Sequence, residues 1–462
     1  MVAPGNGEDT VGRAMAALDR LVPTGALGLA VSGGSDSVAL LRLGAAWGRA
    51  RGRRIVVATI DHGLRGAARA EAAAVRRLAG NIDLEHHVLE VDTVGSGNLQ
   101  GRAREARYAA LAGWAAAEGL SAVATAHTED DQAETVLMRL ARGAGANGLA
   151  GIAERRLRRG PPTLAIVRPL LCHSRAELRA WLRREGLGWI EDPTNLDPAF
   201  ERVRIRAALA TLAPLGIGAP ALARTATRLR GALDVLEGAA ATLAAGNLAL
   251  GIAGEVTIAA RPIAAAPRET AMRVFARAAQ ALTGAAYPPR GEALERALGF
   301  VKAVADGSPP PDTPFAEGVL LSAVPGASAA TLEPLVTLCR ERAACAAPVT
   351  LQPGTPAVWD ERLALPVGCT GPARALGALG PARLTEIKKA GRLFCDGRDV
   401  FGPFMRAPRP ARLSAPALIL PDGGLSMVHL AMHGWAAPEA SGSGPPTREP
   451  VHERLDVFHR GV

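Results

Sequence analysis

The sequence predicts an α/β protein: a parallel sheet with helices on both faces, then a mainly helical region, then a small β-rich one. Three observations lead there. Over roughly the first 200 residues, short apolar runs alternate with helical stretches, as repeated strand–helix–strand units require. The alternation stops near residue 210, in TLAPLGIGAP, and Ala/Arg-rich helical sequence follows. Beyond residue 318 the apolar runs are short and split by Pro and Gly, which suits strands joined by turns. The length of 462 residues fits about three domains at roughly 150 residues each.

Leu27–Val31 reads as the first strand and Ser35–Arg49 as the helix after it. Arg54–Ile60, Leu84–Val91, Ser121–Ala126 and Leu164–Val167 supply four more strands. Ala67–Ala79, Leu99–Glu118, Glu129–Ala141 and Ser174–Glu185 supply the remaining helices. Ligands of such a sheet sit at the C-terminal ends of its strands, and the polar motifs start there. Past the break, Ala219–Ala245 and Pro267–Leu282 read as long helices, with a short strand at Glu255–Ala259. Gly307–Phe315 (GSPPPDTPF) is a linker or a turn cluster. The expected domains are therefore 1–210, 211–310 and 318–435. Residues 436–462, which include AAPEASGSGPPTREP, are expected to form a disordered tail.

Composition narrows the function classes. A net charge of +9 and a pI near 10.1 favour a polyanionic partner such as RNA. Arginine carries nearly all of it, since only Lys302, Lys388 and Lys389 are lysines. The cysteines, Cys172, Cys339, Cys345, Cys369 and Cys395, form no CxxC pair, which argues against a disulfide framework or zinc site and for reduced thiols in the cytoplasm. The start, MVAPGNGEDTVGRAM, has no apolar signal core, and no stretch of about 18 apolar residues predicts a membrane span.

The most specific motif is Ser32-Gly-Gly-Ser-Asp-Ser37, between the first strand and its helix. Two glycines allow a tight turn and close approach to a ligand. Successive backbone N–H groups and the helix N-terminus form an anion site, to which Ser32, Ser35 and Ser37 add hydroxyls. Asp36 would repel phosphate unless a cation intervenes, so it points to Mg²⁺ or to a transition-state contact. The loop is not a Walker A loop, which requires GxxxxGK[ST]. SGGxDS instead resembles the ATP-pyrophosphatase signature, whose owners grip the diphosphate of ATP and transfer AMP to an oxygen nucleophile.

Later blocks continue the pattern. Asp61-His-Gly-Leu-Arg65 ends the second strand, and Ala126-His-Thr-Glu-Asp-Asp-Gln-Ala-Glu-Thr135 follows the fourth. Asp131 and Glu134 lie three apart on a helix and share a face. They suit an ammonium group, or they are helix N-terminal acids favoured by the macrodipole. Asp130 or Asp131 can join Asp36 on Mg²⁺ or help deprotonate an amine. His127 either contacts phosphate or transfers a proton, or simply packs on the strand end; His62 either lines the nucleotide pocket or does the same. Arg104, Arg107 and Tyr108 occupy one helix, where the arginines can fork onto phosphate or form a solvated basic face. Arg142 has the same standing. Arg168-Pro-Leu-Leu171, Glu191-Asp-Pro-Thr-Asn195, Phe200, Arg202 and Arg206 complete the series. Gly143-Ala-Gly-Ala-Asn-Gly148 fits GxGxxG but follows a helix rather than a strand, so it reads as a loop near the active site.

Taken in order over about residues 25–210, these blocks resemble the tRNA(Ile)-lysidine synthetase family. The resemblance implies an adenine nucleotide alpha-hydrolase-like fold, with ATP and Mg²⁺ as cofactors. The implied partners are an isoleucine tRNA with a CAU anticodon and free L-lysine, the oligomeric state being open, a homodimer included. ATP would adenylate the wobble cytidine at its base oxygen, and the lysine side-chain amine would then displace AMP. It places catalysis on Asp36, His127 and Asp131, with metal on Asp36. ATP falls to Ser32, Gly33, Gly34, Ser35, Asp36, Ser37, Asp61, His62 and Arg107, and lysine to Asp131 and Glu134. Phosphate or tRNA falls to Arg104, Arg142, Arg202 and Arg206, and the arginines around Arg224, Arg228 and Arg230 are further tRNA candidates. Two departures are Val203 where the family has asparagine and Ala144 where serine or threonine is common. Three competing classes are disfavoured. A tRNA thiolase would want paired cysteines near the loop, and only Cys172 lies in the first 210 residues. A glutamine-dependent synthetase would want a glutaminase domain. A non-catalytic RNA-binding module would not need Asp36, Asp131 and Glu134.

Overall fold

The structure is a computed structural model. It describes residues 7–427 except 62–65, 92–98, 159–162, 192–196, 252, 286, 317, 325–332, 352–356, 360–362, 366–374, 391–393, 396–397, 400–403, 406, 408 and 420–424. The expected tail at 436–462 and His62 lie outside the described residues, as does the side chain of Arg104. The chain forms two compact units, one built up to Leu233 and one from Asp234 onward.

The first unit begins with α1 (Gly7–Leu21), which the sequence reading did not anticipate. Then follow β1 (Ala26–Ala30), α2 (Ser35–Arg51), β2 (Ile55–Asp61), α3 (Gly66–Gly80), β3 (Glu85–Glu90), α4 (Leu99–Ala117), β4 (Leu120–Thr125) and α5 (Glu129–Ala141). A short α6 (Ala146–Leu149), β5 (Arg155–Arg158), β6 (Leu164–Val167), α7 (Arg175–Arg184), α8 (Glu201–Leu212) and α9 (Ala219–Ala244) complete it, α9 running on into the second unit. The sheet order is β3-β2-β1-β4-β6-β5, and all neighbours are parallel except β5 with β6. The antiparallel β5 was not expected; its sequence, RRLR, is mostly charged, as suits an exposed sheet edge.

The strands alternate between two cores, as a period of two dictates. Leu27, Leu29, Val57, Ala122, Ala124 and Val167 pack with α1, α2, α3 and α7. Val56, Ala58, Val123 and Ile166 pack with Tyr108, Leu111 and Trp114 of α4. Helix α2 lies close on the sheet: a Cβ at Gly44 would stand 2.9 Å from Leu29, and one at Gly48 would collide with Ile55. Strand β1 has β2 on one side and β4 on the other, and the chain leaves these strands in opposite directions. A crevice opens at such a switch point, and the loops after β1 and β4 border it.

In the second unit, β7 (Leu248–Leu250), β8 (Val256–Ala259), β9 (Thr313–Ala316), β10 (Val319–Val324) and β11 (Leu335–Arg340) form an antiparallel sheet ordered β7-β8-β11-β10-β9. Helices α10 (Ala260–Ala265), α11 (Arg268–Thr283) and α12 (Gly291–Ala305) share its core through Ile263, Phe275 and Phe300, with Phe315 of β9 in the same cluster. The Gly307–Phe315 run is thus a turn cluster leading into β9, and strands on both sides of it join one sheet. Further on, Val349–Thr350, Ala375–Ala378, Pro416–Ile419 and Leu425–Met427 make a four-stranded antiparallel sheet. Among the described residues no single helix is long and apolar enough to cross a membrane.

Candidate active site

The loop after β1 is knitted by one hydroxyl. Ser37 Oγ accepts from the N–H groups of Ser32 (3.2 Å) and Gly33 (3.0 Å) and donates to Gly34 O (2.9 Å). Gly33 has φ +91°, and a Cβ there would come within 2.8 Å of Ile190 Cδ1, so both backbone and packing require glycine. Gly34 is the N-cap of α2 and has no capping side chain, and a Cβ at Gly34 would meet open space. The first N–H groups of α2 are therefore left without a side-chain cap, with the positive end of the helix behind them. Asp61 closes β2 beside β1.

The loop after β4 is organised by a capping box. Thr128, fully buried, caps α5: its hydroxyl accepts from Asp131 N (3.4 Å), while Asp131 Oδ2 accepts from Thr128 N (2.9 Å) and from its hydroxyl (3.0 Å). One oxygen of Asp131 is thereby committed to the helix end, and Oδ1 alone is left to face the crevice. Asp130 has a contact that the sequence did not suggest. The sequence reading put it beside Mg²⁺ or the amine; in the structure its Oδ2 accepts the backbone N–H of Arg175 at 2.7 Å. Together with the bond from Glu129 N to His173 O (2.9 Å), this ties the start of α5 to the start of α7.

That tie delivers a residue the sequence reading missed. Arg175 Nε donates to Asp36 Oδ2 at 3.0 Å, Nη2 to Asp131 Oδ1 at 3.3 Å, and Nη1 lies 3.5 Å from Glu134 Oε1. One guanidinium joins three carboxylates from two loops. Four residues on, Arg179 Nε donates to Ser35 Oγ at 3.1 Å, so one face of α7 grips the start of α2 twice. A signal was available: an arginine in the first turn of a helix opposes the macrodipole and has to be held by acids elsewhere.

Arg206 and Arg202 also depart from expectation. Read from sequence as phosphate or tRNA contacts, they stand beside the acids, with Arg206 Nε donating to Glu134 Oε1 at 2.6 Å and the more exposed Arg202 placing Nη1 3.9 Å from Asp131 Oδ1. Paired carboxylates in a crevice outcompete solvent for the nearest guanidinium groups. Glu134 is 0% exposed, and its Oε2 has no hydrogen-bond partner among the described residues. Arg142, by contrast, pairs with Glu201 on an exposed surface (2.6 Å) and is not part of the cluster.

The electrostatics separate the groups. Burial pushes the Asp36 carboxyl up despite Arg175. Burial acts the same way on Asp131, but Arg175 above all, with the Thr128 amide and Arg202, overcomes it and holds Asp131 below the usual range. Burial and then the charges of Arg168, Arg107 and Arg202 push His127 down to about 3, against the opposing effect of Asp131. His127 is therefore neutral at physiological pH. Its Nδ1 lies 3.0 Å from Thr125 Oγ1, so Nε2 is the atom left for a ligand. This removes the role of a charged acid and keeps that of a hydrogen-bonding group among arginines. Arg107 also lies over the Tyr108 ring, 5.0 Å from its centroid, and its buried Nε has no hydrogen-bond partner among the described residues.

The site thus pairs an anion-binding loop with a set of carboxylates that accept a cation. Its hard oxygen donors, including the unpartnered Glu134 Oε2, fit a divalent cation or an ammonium group; the cation standing there is the Arg175 guanidinium. Cys172 lies apart, against His173 (3.3 Å).

Comparison with known proteins gives a consistent picture. The PP-loop domain family matches residues 9–213. A tRNA(Ile)-lysidine synthase of Ruegeria pomeroyi is 39% identical over 373 residues, which is 80% of this chain and 84% of that protein. One from a Bradyrhizobium species is 43% identical over 292 residues, 60% of this chain and 81% of that protein. Among solved structures, the U34-tRNA thiolase NcsA of Methanococcus maripaludis aligns over 49% of this chain and 78% of its own at 17% identity, with a TM-score of 0.42, too loosely to bear on the argument.

Proposed function

Because the chain belongs to the tRNA(Ile)-lysidine synthase family, we propose how its residues divide the family's reaction between them. The enzyme is a carbon–nitrogen ligase. The wobble cytidine's base oxygen attacks the α-phosphorus of ATP, and diphosphate leaves. The lysine side-chain amine then attacks the base carbon, the carbon–oxygen bond to AMP breaks, and the nitrogen loses its proton.

In our reading, the uncapped N–H groups at the start of α2 hold the diphosphate end of ATP, in a loop whose turn is fixed by the bonds from Ser32 and Gly33 to Ser37, with Asp61 and Arg107 beside it. Mg²⁺, when bound, would be held by Asp36 and would neutralise charge on the leaving diphosphate. Neutral His127 offers Nε2 to a phosphate oxygen or to the base. Asp131 Oδ1 and Glu134 take the lysine ammonium and orient it. The observation that carries this reading is the convergence of Asp36, Asp131 and Glu134 on one guanidinium beside the phosphate loop, since a site that holds one cation on three carboxylates is built to hold another.

The direct experiment supplies ATP, radiolabelled lysine and an isoleucine tRNA transcript. Label should enter the tRNA and vanish when the wobble cytidine is replaced. Label indifferent to that base would overturn the assignment. Asp36→Ala should abolish tRNA-dependent ATP–diphosphate exchange, and full exchange would rule out its role in adenylation.

A further inference from the structure

The Arg175 guanidinium occupies the place that the proposed reading gives to the substrate ammonium, and its three contacts are unequal. The bond to Asp36, a residue of the phosphate loop, is well formed at 3.0 Å, whereas those to Asp131 (3.3 Å) and Glu134 (3.5 Å) are long for charge-assisted pairs. Glu134 is meanwhile anchored by Arg206 at 2.6 Å and keeps a bare buried oxygen. The backbone of Arg175 is fixed by Asp130, so only its side chain is free to move.

We propose that Arg175 is an internal stand-in for substrate lysine, released when ATP arrives. A triphosphate on the Ser32–Ser37 loop places several negative charges beside Asp36. The nearest cation is the guanidinium already bonded to Asp36, and a turn of its side chain toward the phosphates breaks the two long contacts. Asp131 Oδ1 and Glu134 then lose the cation they share and keep only Arg202 at 3.9 Å and Arg206 at 2.6 Å, which leaves them short of positive charge and open to an ammonium group. Nucleotide binding therefore opens the lysine site, and by reciprocity lysine tightens nucleotide binding by the same factor. The device favours lysine entering after ATP. It rests on the assignment of Asp131 and Glu134 to lysine.

The test is calorimetric titration of L-lysine into the full chain, with and without Mg²⁺ and the α,β-methylene analogue of ATP, which cannot be cleaved at the reacting bond. Wild type should bind lysine about tenfold or more tightly with the analogue present, within the usual range of coupling between sites. Arg175→Gln should bind lysine with the same affinity in both conditions, near that of the analogue-loaded wild type. Equal lysine affinity in wild type with and without analogue overturns the proposal, as does an undiminished factor in Arg175→Gln. If Arg175→Gln does not fold, Arg175→Lys serves: its ammonium cannot span all three carboxylates, so coupling should fall below the wild-type factor, and an unchanged factor overturns the idea. Glu134→Gln separates the two readings. It should weaken lysine binding in both conditions; if it does not, the assignment of the lysine site fails rather than the stand-in alone.

Discussion

At the scale of single residues, charge and burial set what each group can do. His127 has its pKa pushed down to about 3 by burial and by the arginines around it, against an ordinary value of 6.5. The unfolded chain therefore binds a proton that the folded chain refuses between these values. Stability is full above pH 6.5 and falls as pH drops toward 3. The loss at pH 5 relative to pH 7 is on the order of 1–2 kcal/mol for this one group. Urea midpoints of wild type and His127→Gln should converge as pH falls from 7 to 5, and parallel curves would show that the imidazole accepts a proton in the fold. Asp131→Asn removes the capping-box carboxylate and should cost ~1 kcal/mol in the same assay. It should also raise the KM for lysine at least tenfold, which is about 1.4 kcal/mol in lost binding, while ATP–diphosphate exchange persists. Loss of exchange along with lysine affinity would place Asp131 in adenylation.

At the scale of elements, positioning is done by close packing and helix ends. Helix α2 carries the phosphate loop at one end and is seated through Gly44 and Gly48 toward the other. Gly48→Ala should push α2 off Ile55 and impair ATP binding far from the loop. Shortening Ile55 to Ala in the same chain should recover part of the nucleotide affinity, because the two changes share one contact. Additive damage would mean that the helix does not transmit the shift. This is also the scale at which the sequence was most legible. Glu129–Ala141 and Leu164–Val167 agree with expectation to the residue, because a Thr cap bounds the helix and a short, continuous, fully buried apolar run bounds the strand. Helix α1 was missed although Ala14, Leu18 and Leu21 recur at helical spacing and enter the core. Strand β5 was missed because three of its four residues are arginine. In the site, Asp36, Asp131 and Glu134 were legible from motif and spacing. The first-turn position of Arg175 hinted at acidic partners without identifying them, since they sit on two segments that only the folded sheet brings together, and the bond from Asp130 to a backbone N–H leaves no trace in sequence.

At the scale of the whole molecule, an arginine-dominated charge of +9 meets an RNA substrate. The logarithm of tRNA affinity should fall linearly with the logarithm of salt concentration, each neutralised phosphate adding a slope of about −0.7 to −0.9. A slope near zero between 50 and 200 mM salt (~fourfold, ample for detection) would exclude electrostatic docking. The contact between Asp36 and Arg175 spans 139 positions in the chain. Translation at ~5–20 residues per second puts on the order of ten seconds between the synthesis of the two. Through that interval the nascent loop carries an acid without its cationic partner, so the nucleotide site matures only after α7 has been made. A ribosome-bound chain truncated before residue 175 should therefore bind ATP poorly even with β1 to β4 complete.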